Sequence, residues 1–600
     1  MDTSTSGGGR HRRRIRIAVP VAAAGLAAAV AGALLMSSAN AAPNTTPPTP
    51  TVRPTHSTPS LAELEKRVAG AVAGDDIAGR TTQKASLSAG TNTAKVDPKI
   101  IGGTTTSIST APFMAQLWYY DEANEIGFFC GGSVVSPTKI LTAAHCVKGY
   151  DWKANGAVIT GTSQLASGSE LPEGATVSAP WRQWNHPSYS ATTIDNDIAV
   201  ITLANPVSAK PIRMTTSGDT ASYASGTSAK LFGWGRTSST TGDISETLKT
   251  ATLPINSDST CNTAMQSVLG EDAFVEGHMV CAGTKATGTD AGTTTACNGD
   301  SGGPLIVNDR IVGVVSWGVE DCVKKGAYSV FSKVSTYVGA AYPRVEDTNL
   351  SGDHKADLWV RNASTKTGYS KDSKGTSFAA RVSWGGWDGV NVVLQTDLNR
   401  DGYQDLVVRD SASGDVFWMH YVRSIDDWAT DRIFSSWGTR QRIIAPGDLN
   451  GDGLPDVLSV DSSGVMWQYP GKGNGTFSSR VQVSTGWSQY NSVRGHGDFT
   501  GDGKADLIAR SKTGSYIYLY KGTGKTGSGA FSSRIKVRTW SSYNAFDAVG
   551  DVTGDGKADF LARTSGGTLY LYPGTGKATS EIFATRISVG TGFQAYDIFG

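Results

Sequence analysis

An all-β chain in two folded regions is what this sequence predicts, and three observations carry the expectation. Glycine is 72 of 600 residues, or 12%, with aromatics at 9% and charged residues at 18%. Glycine is usually about 7%, and so many aromatics argue against disorder, so the composition suits turn-rich strands. All six cysteines fall between Cys130 and Cys322; an even number confined to one stretch points to disulfides there and none elsewhere. Beyond residue 345 an aspartate-rich pattern recurs about every 50 residues, the mark of stacked supersecondary units. The length calls for more than one domain. The net charge of +1 excludes a basic nucleic-acid surface or an acidic tail as the character of the whole chain.

The elements follow in order. Residues 10–16 are basic, 17–36 are apolar, and Ala39-Asn40-Ala41 has the small-residue A-x-A form. This predicts a cleaved secretory signal over 1–41 and a secreted, extracellular protein. The competing reading is an uncleaved anchor, since about 20 apolar residues span a bilayer, but the run is mostly weakly hydrophobic Ala and Gly. No later stretch is long and apolar enough to span, and export suits disulfides. Residues 42–60 carry Pro43, Pro47, Pro48, Pro50, Pro54 and Pro59 and read as an extended linker. Ser60 and Glu63 form a capping box before a short helix. Residues 42–99 together read as a pro-segment or linker, against the plainer alternative of a spacer with no regulatory role.

Three runs in the middle region carry chemistry: Leu141 to Cys146 around His145, Asp195 to Val200 around Asp197, and Cys297-Asn-Gly-Asp-Ser301-Gly-Gly-Pro304. A serine hydroxyl is a weak nucleophile. It needs a neutral imidazole to take its proton and a carboxylate to orient that imidazole. Singly, each run has a structural explanation; in this order, together, they do not.

On these residues the sequence resembles the trypsin/chymotrypsin-like serine endopeptidases over 100–344. Ile100-Ile-Gly-Gly103, Pro112-Phe-Met114, Cys130-Gly-Gly-Ser-Val134, Gly233-Trp-Gly235 and Ser316-Trp-Gly318 also fit. The resemblance implies two six-stranded β-barrels with the site between them. It makes Ser301 the nucleophile, His145 the general base and then acid, and Asp197 the orienting carboxylate. The N–H groups of Gly299 and Ser301 would form the oxyanion hole, each donor worth about 3–4 kcal/mol of barrier. The resemblance pairs Cys130 with Cys146, Cys261 with Cys281, and Cys297 with Cys322, one of 15 connectivities. It also implies a zymogen: cleavage after Lys99 frees the Ile100 amine to pair with Asp300, and until then the oxyanion hole is poorly formed. An activating protease is the partner this requires. No catalytic cofactor is implied.

The pattern departs from the trypsin branch at the substrate pocket. The position six residues before Ser301, where that branch carries Asp, holds Thr295, followed by Ala296; the resemblance makes Gly318 and Gly326 the walls. An uncharged pocket suits a large apolar or aromatic P1 residue. The alternative is basic P1 specificity, rescued by Glu320 or Asp321. A free histidine titrates near pH 6.5, so activity is expected to rise from weakly acid to neutral pH.

The repeat reads Asp397, Asn399, Asp401, Asp405; Asp448, Asn450, Asp452, Asp456; Asp498, Thr500, Asp502, Asp506; and Asp551, Thr553, Asp555, Asp559. A weaker first copy is Asn349, Ser351, Asp353, Asp357, with His354 in place of the glycine found at position 6. Oxygen side chains at positions 1, 3, 5 and 9 with glycine at 6 predict Ca²⁺ loops; self-bonded Asx turns are the alternative. With flanking strands and aromatic second strands, the region 345–600 resembles FG-GAP/VCBS β-propeller repeats. That implies a ring of about five blades, with the last strand, near 596–600, completing the first. Exposed aromatics on such a propeller would suit a glycan or an extracellular protein ligand.

The functional expectation is a secreted serine endopeptidase acting on protein and peptide substrates, with a Ca²⁺-loaded propeller for targeting or stability. The alternative is a binding or adhesion protein with an inert protease-like domain.

Overall fold

The structure is a computed structural model describing residues 47–54, 58–73, 100–167, 171–217, 219–270, 273–319, 321–345, 348–353 and 355–600. The signal segment, Lys99, Glu320 and His354 lie outside the described residues.

Two sheets, antiparallel except where Arg213–Met214 pairs parallel with Arg310–Trp317, build the first region. One orders Thr176–Ser178, Gly156–Thr160, Met114–Asp121, Ile126–Ser136, Lys139–Thr142, Ala199–Leu203 and Pro180–Asn185. The other contains Lys249–Pro254, Ser228–Gly233, Pro304–Val307, Arg310–Trp317, Ser329–Lys333 and Met279–Ala282, with Thr104–Thr105 and Arg213–Met214 at its margins. Leaving out strands of two or three residues, each sheet has the expected six. The central strands are almost continuously buried, as in MAQLWY of Met114–Asp121 and PLIV of Pro304–Val307. Trp118, Phe129 and Leu117 fill the first interior, and Leu231, Leu305 and Phe331 fill the second.

The described parts of the segment before the barrels, 47–54 and 58–73, pack on both regions. Ser60 Oγ accepts the Glu63 N–H at 3.2 Å, capping the helix Leu61–Ala73 as its sequence predicts. Leu64, Val68 and Ala71 of this helix join the first barrel's core. Buried Arg67 donates to the Gly156 carbonyl at 3.0 Å. Upstream, the Val52 carbonyl accepts the Trp428 indole N–H at 2.7 Å, and Thr58 accepts from Arg423 at 2.8 Å. Residues 47–54 and 58–73 therefore contact both the barrels and the second region.

That second region is five four-stranded antiparallel blades. Blade 1 comprises Leu358–Asn362, Thr367–Lys371 and Val382–Gly386, with Tyr596–Phe599 paired to Leu358–Asn362. The last strand closes the first blade, as expected. Blades 2 to 5 open on Val390–Thr396, Arg442–Gly447, Tyr490–Arg494 and Tyr543–Gly550. The recurring aromatics Trp387, Trp437, Trp487, Trp540 and Phe593 are buried between blades. Among the described residues the exposed large hydrophobic side chains are Leu61, Leu269, Val382, Ile425 and Val481. None is aromatic: most rings are packed, while Trp467, Tyr516, Tyr518 and Tyr570 are half-buried under stacked Arg or Lys side chains.

The aspartate loops face the protease. Tyr342, on the helix Val334–Val345, donates to the Asp448 carbonyl at 3.3 Å. Arg344 of the same helix pairs with Asp551. A Cβ on Gly339 would lie 2.5 Å from the Gly501 carbonyl oxygen, so only glycine admits the loop at that contact.

Candidate functional site

Asp197 is fully buried, just before the strand Ala199–Leu203. Its Oδ1 accepts the His145 backbone N–H at 2.8 Å, and its Oδ2 meets His145 Nδ1 at 2.8 Å. Ser316 Oγ donates to the same Oδ2 at 2.6 Å, and Ser332 Oγ donates to the Asp197 carbonyl at 2.6 Å. The ring is thereby fixed in orientation, with Nε2 left for proton exchange. Burial pushes the His145 pKa down, but the charge and hydrogen bond of Asp197 outweigh it, so the net shift is upward. The cluster of Cys130, His145 and Cys146 has metal-like spacing, but both cysteines are committed to a disulfide.

Ser301 sits in a turn anchored at both ends. Its carbonyl accepts the Gly131 N–H at 2.7 Å, and the Gly302 N–H donates to Val315 at 2.8 Å. Gly302 has φ +80°, and a Cβ there would lie 2.1 Å from Thr142 Oγ1; the double glycine after the serine is a steric necessity. The N–H groups of Gly299 and Ser301 donate to no acceptor among the described residues. Two unspent donors flanking a serine hydroxyl could hold an oxyanion.

Asp300 is fully buried between them. It accepts from the Gly235 N–H at 2.8 Å and the Cys297 N–H at 3.0 Å. A Cβ on Gly233 or Gly235 would come within 2.1 or 2.3 Å of this carboxylate, which explains Gly-Trp-Gly. Burial, opposed by those two bonds, pushes the Asp300 pKa up to about 7. No cation pairs with it among the described residues. Ile100 is also fully buried, and the Ile101 carbonyl accepts the Thr295 N–H at 3.0 Å.

The structure carries the three disulfides Cys130–Cys146, Cys261–Cys281 and Cys297–Cys322. Near the last of these, Thr295 is buried and its Oγ1 bonds Ser329 Oγ at 2.7 Å; that Ser329 oxygen also accepts the Ala296 N–H at 2.9 Å. A Cβ on Gly318 would meet nothing within 4 Å, whereas Gly326 (φ +92°) lies near Val268. Asp321 is exposed. Sequence reasoning missed the anchoring roles of Ser316, Ser332 and Ser329. Ser316 stands in a quoted motif, but its bond to Asp197 is a long-range contact that no local pattern announces.

This arrangement invites comparison with known proteins. The trypsin family model matches residues 100–340. A trypsin from Saccharopolyspora erythraea is 37% identical over 238 residues, covering 94% of that protein and 40% of this chain. Trypsin-3 of Salmo salar is 33% identical over 246 residues, covering 90% of it, and a trypsin of Sus scrofa is 31% identical over 246 residues, covering 94% of it. The chain belongs to the trypsin family. Its protease region is a trypsin-like serine endopeptidase domain. The FG-GAP-like repeat model matches 397–459, 448–495 and 498–562 within the propeller.

The repeat loops offer oxygens but no preformed cage. Position 1 accepts loop N–H groups: Gly402 to Asp397 at 3.0 Å, Gly453 to Asp448 at 2.7 Å, Gly556 to Asp551 at 2.7 Å. Position 9 ties the next hairpin, as Gly471 donates to Asp456 at 3.0 Å and Gly574 to Asp559 at 2.8 Å. Asp405 Oδ1 and Asp502 Oδ1 are buried without a partner. Burial pushes Asp357, Asp456 and Asp498 up to about 7. Burial and neighbouring carboxylates push Asp405, Asp506 and Asp559 well above the usual range. Uncompensated buried carboxylates fit a divalent cation. Against this, no loop brings three carboxylates within 4.8 Å of one another among the described residues, and lysines partly substitute, as Lys521 Nζ pairs with Asp502 at 3.0 Å.

Proposed function

We propose that this protein is a secreted endopeptidase, made as a zymogen, that hydrolyses peptide bonds through His145, Asp197 and Ser301. The observation that carries the reading is Asp197, which meets three donors and holds His145 by ring nitrogen and backbone amide, together with a serine turn whose Gly299 and Ser301 N–H groups are unspent among the described residues. Neutral His145 takes the Ser301 proton through Nε2 as Oγ attacks the scissile carbonyl. The Gly299 and Ser301 amides stabilise the alkoxide, and protonated His145 hands its proton to the leaving amine. Water then repeats the sequence on the acyl-enzyme. An inert protease-like domain would have no reason to keep this array.

Latency rests on Asp300. A fully buried carboxylate with only two amide donors is costly, and the ammonium created by cleavage after Lys99 is the partner that it lacks. The domain division that follows is a signal over 1–41, a pro-segment over 42–99, protease over 100–344 and propeller over 345–600. P1 preference is for large apolar or aromatic residues, because Thr295 closes the pocket base with a neutral hydroxyl pair to Ser329. The repeat loops take Ca²⁺ through the carboxylates at positions 1, 5 and 9, an ion that would neutralise their mutual repulsion.

A P1-varied peptide panel on the Lys99-cut protein, with active-site titration by a serine-directed acylating reagent, tests the reading. Stoichiometric titration with turnover after Phe, Tyr or Leu is expected. Titration with turnover only after Lys or Arg would overturn the pocket assignment, and no titration would overturn the activity.

A further inference from the structure

The propeller channel carries a charge pattern that neither peptide hydrolysis nor a Ca²⁺ loop uses. Each blade presents one polar side chain at the same register on its inner strand or, for Gln441, just before it: Asn391, Gln441, Asn491, Asn544 and Asp597. Behind them, four residues after position 9 of the loop, stand Arg361, Arg409, Arg510 and Arg563, with Val460 in blade 3. Blade 3 makes good the loss with Arg442 from its inner strand, where blade 4 has Ser492. Arg494 adds another guanidinium where blades 2 and 3 have Leu394 and Ile444.

Part of this pattern is mortar. Arg409 donates to the Trp437 and Arg440 carbonyls at 3.2 and 2.9 Å, and Arg563 to those of Phe593 and Tyr596 at 2.9 and 2.7 Å. Each guanidinium thus ties its blade to the next. The stitching does not exhaust the donors. Arg409 Nη2, Arg563 Nη2, Arg510 Nη1 and both terminal nitrogens of Arg494 reach no acceptor among the described residues, and Arg442 Nε is buried without a partner.

Arg409, Arg442, Arg494, Arg510 and Arg563 line one cavity of about 480 Å³. Its one carboxylate, Asp597, is already held by Arg361 at 2.8 Å and by Lys366 at 3.0 Å. Burial lowers the pKa of Arg409, Arg442, Arg510 and Arg563, and Arg494 lowers that of Arg442 further; Arg494 Nε lies 3.7 Å from the buried Asp547. Concave, one-signed surfaces concentrate counter-ions, and guanidinium forks match planar or tetrahedral oxyanions.

We propose that this channel mouth is a binding site for a multivalent oxyanion, either free or as the acidic group of a sugar chain. Such a ligand would engage the leftover guanidinium donors and accept from the carboxamides of Asn391, Asn491 and Asn544. The site is independent of the protease assignment.

Calorimetric titration of the full chain tests it, with inorganic phosphate and a galacturonic acid oligomer as probes and ionic strength held constant with chloride. Saturable binding by at least one probe is expected; phosphate marks a free-anion site and the oligomer alone marks an acidic-sugar site. The variant N391D/N491D/N544D keeps each acceptor oxygen, copies the aspartate that blade 1 carries at this register, and fills the ring with negative charge. It should bind at least tenfold more weakly while cleaving a short peptide as the parent does. Should that variant fold poorly, Arg442→Ser, which copies blade 4, should still weaken binding several-fold. No saturable heat with either probe, or unchanged affinity in a folded variant, would overturn the proposal.

Discussion

Both halves of this molecule bury aspartates, and they treat them in opposite ways. In the barrels, Asp197 meets a ring nitrogen, a backbone amide and a serine hydroxyl, all aimed at its two oxygens. In the propeller loops, buried carboxylates stand close enough to raise one another: Asp401 and Asp397 act on Asp405, and Asp498 acts on Asp506. A buried charge met by oriented donors becomes a rigid tool, whereas carboxylates gathered without a cation store repulsion that an ion can relieve. Asp300 lies between these cases, with two donors and no counter-charge in the uncut chain.

The sharpest test of this contrast separates chemistry from stability. Ser301→Ala should lower kcat by about six orders of magnitude and leave the thermal midpoint of both halves unmoved. A residual rate within a hundredfold of the parent would remove Ser301 from the nucleophile's role.

Asp300 comes next. Asp300→Asn keeps an oxygen for only one of the two amide donors, turns an NH2 toward the other and cannot pair with an ammonium, so the Lys99-cut variant should lose at least about 10²- to 10³-fold in kcat/KM, the order expected for a damaged oxyanion hole. The uncut parent gives a second readout. Its Asp300 pKa is raised from 3.8 to about 7, so folding binds this proton more tightly than the unfolded chain does. The stability that it contributes is complete below about pH 4 and is lost as pH rises through about 7. Melting curves of a Lys99→Gln chain should show this decline, and the cut protein or Asp300→Asn should lack it. Parallel curves would mean that Ile100 does not reach the carboxylate.

The propeller side of the comparison predicts a ligand effect. Ca²⁺ at about a hundred times its Kd should stabilise the folded chain by about 2.7 kcal/mol per occupied site, a shift of several degrees at the propeller's transition. Asp498→Asn with Asp506→Asn should reduce the shift without touching peptidase activity. A midpoint equal in Ca²⁺ and in chelator would leave the loops as Asx turns held by their own amides.

What the sequence made legible follows the reach of each interaction. Glycines around Ser301, the cap at Ser60 and the period of the aspartate loops are local constraints, and all were visible as motifs. Disulfide pairing and barrel topology came through family resemblance, because no spacing alone chooses among connectivities. The docking of Val334–Val345 on the loop face was hidden: it depends on Arg344 meeting Asp551 some 207 residues away. Which aromatics pack inside the propeller was hidden too, because period and composition cannot say which face a ring takes; Trp387 and Trp487 are buried.

The smallest expected effect probes how much of the protease's rigidity is held by Ser316. Its hydroxyl gives Asp197 Oδ2 a 2.6 Å hydrogen bond, on the oxygen that also holds His145 Nδ1. Ser316→Ala removes a donor to a charged group, about 1.5–3 kcal/mol in general. Part of that is recovered as the carboxylate leans harder on His145, leaving roughly a tenfold loss in kcat/KM. The direction of the pH profile separates this from simple loosening. His145 already titrates above its ordinary value of 6.5 because Asp197 outweighs burial; with one donor fewer, Asp197 presents more charge to the ring and raises it further. The acid limb of kcat/KM in the parent should therefore lie above pH 6.5 and move to still higher pH in the variant. A limb that stayed in place while the rate fell would mean that Ser316 packs against Asp197 without tempering its charge.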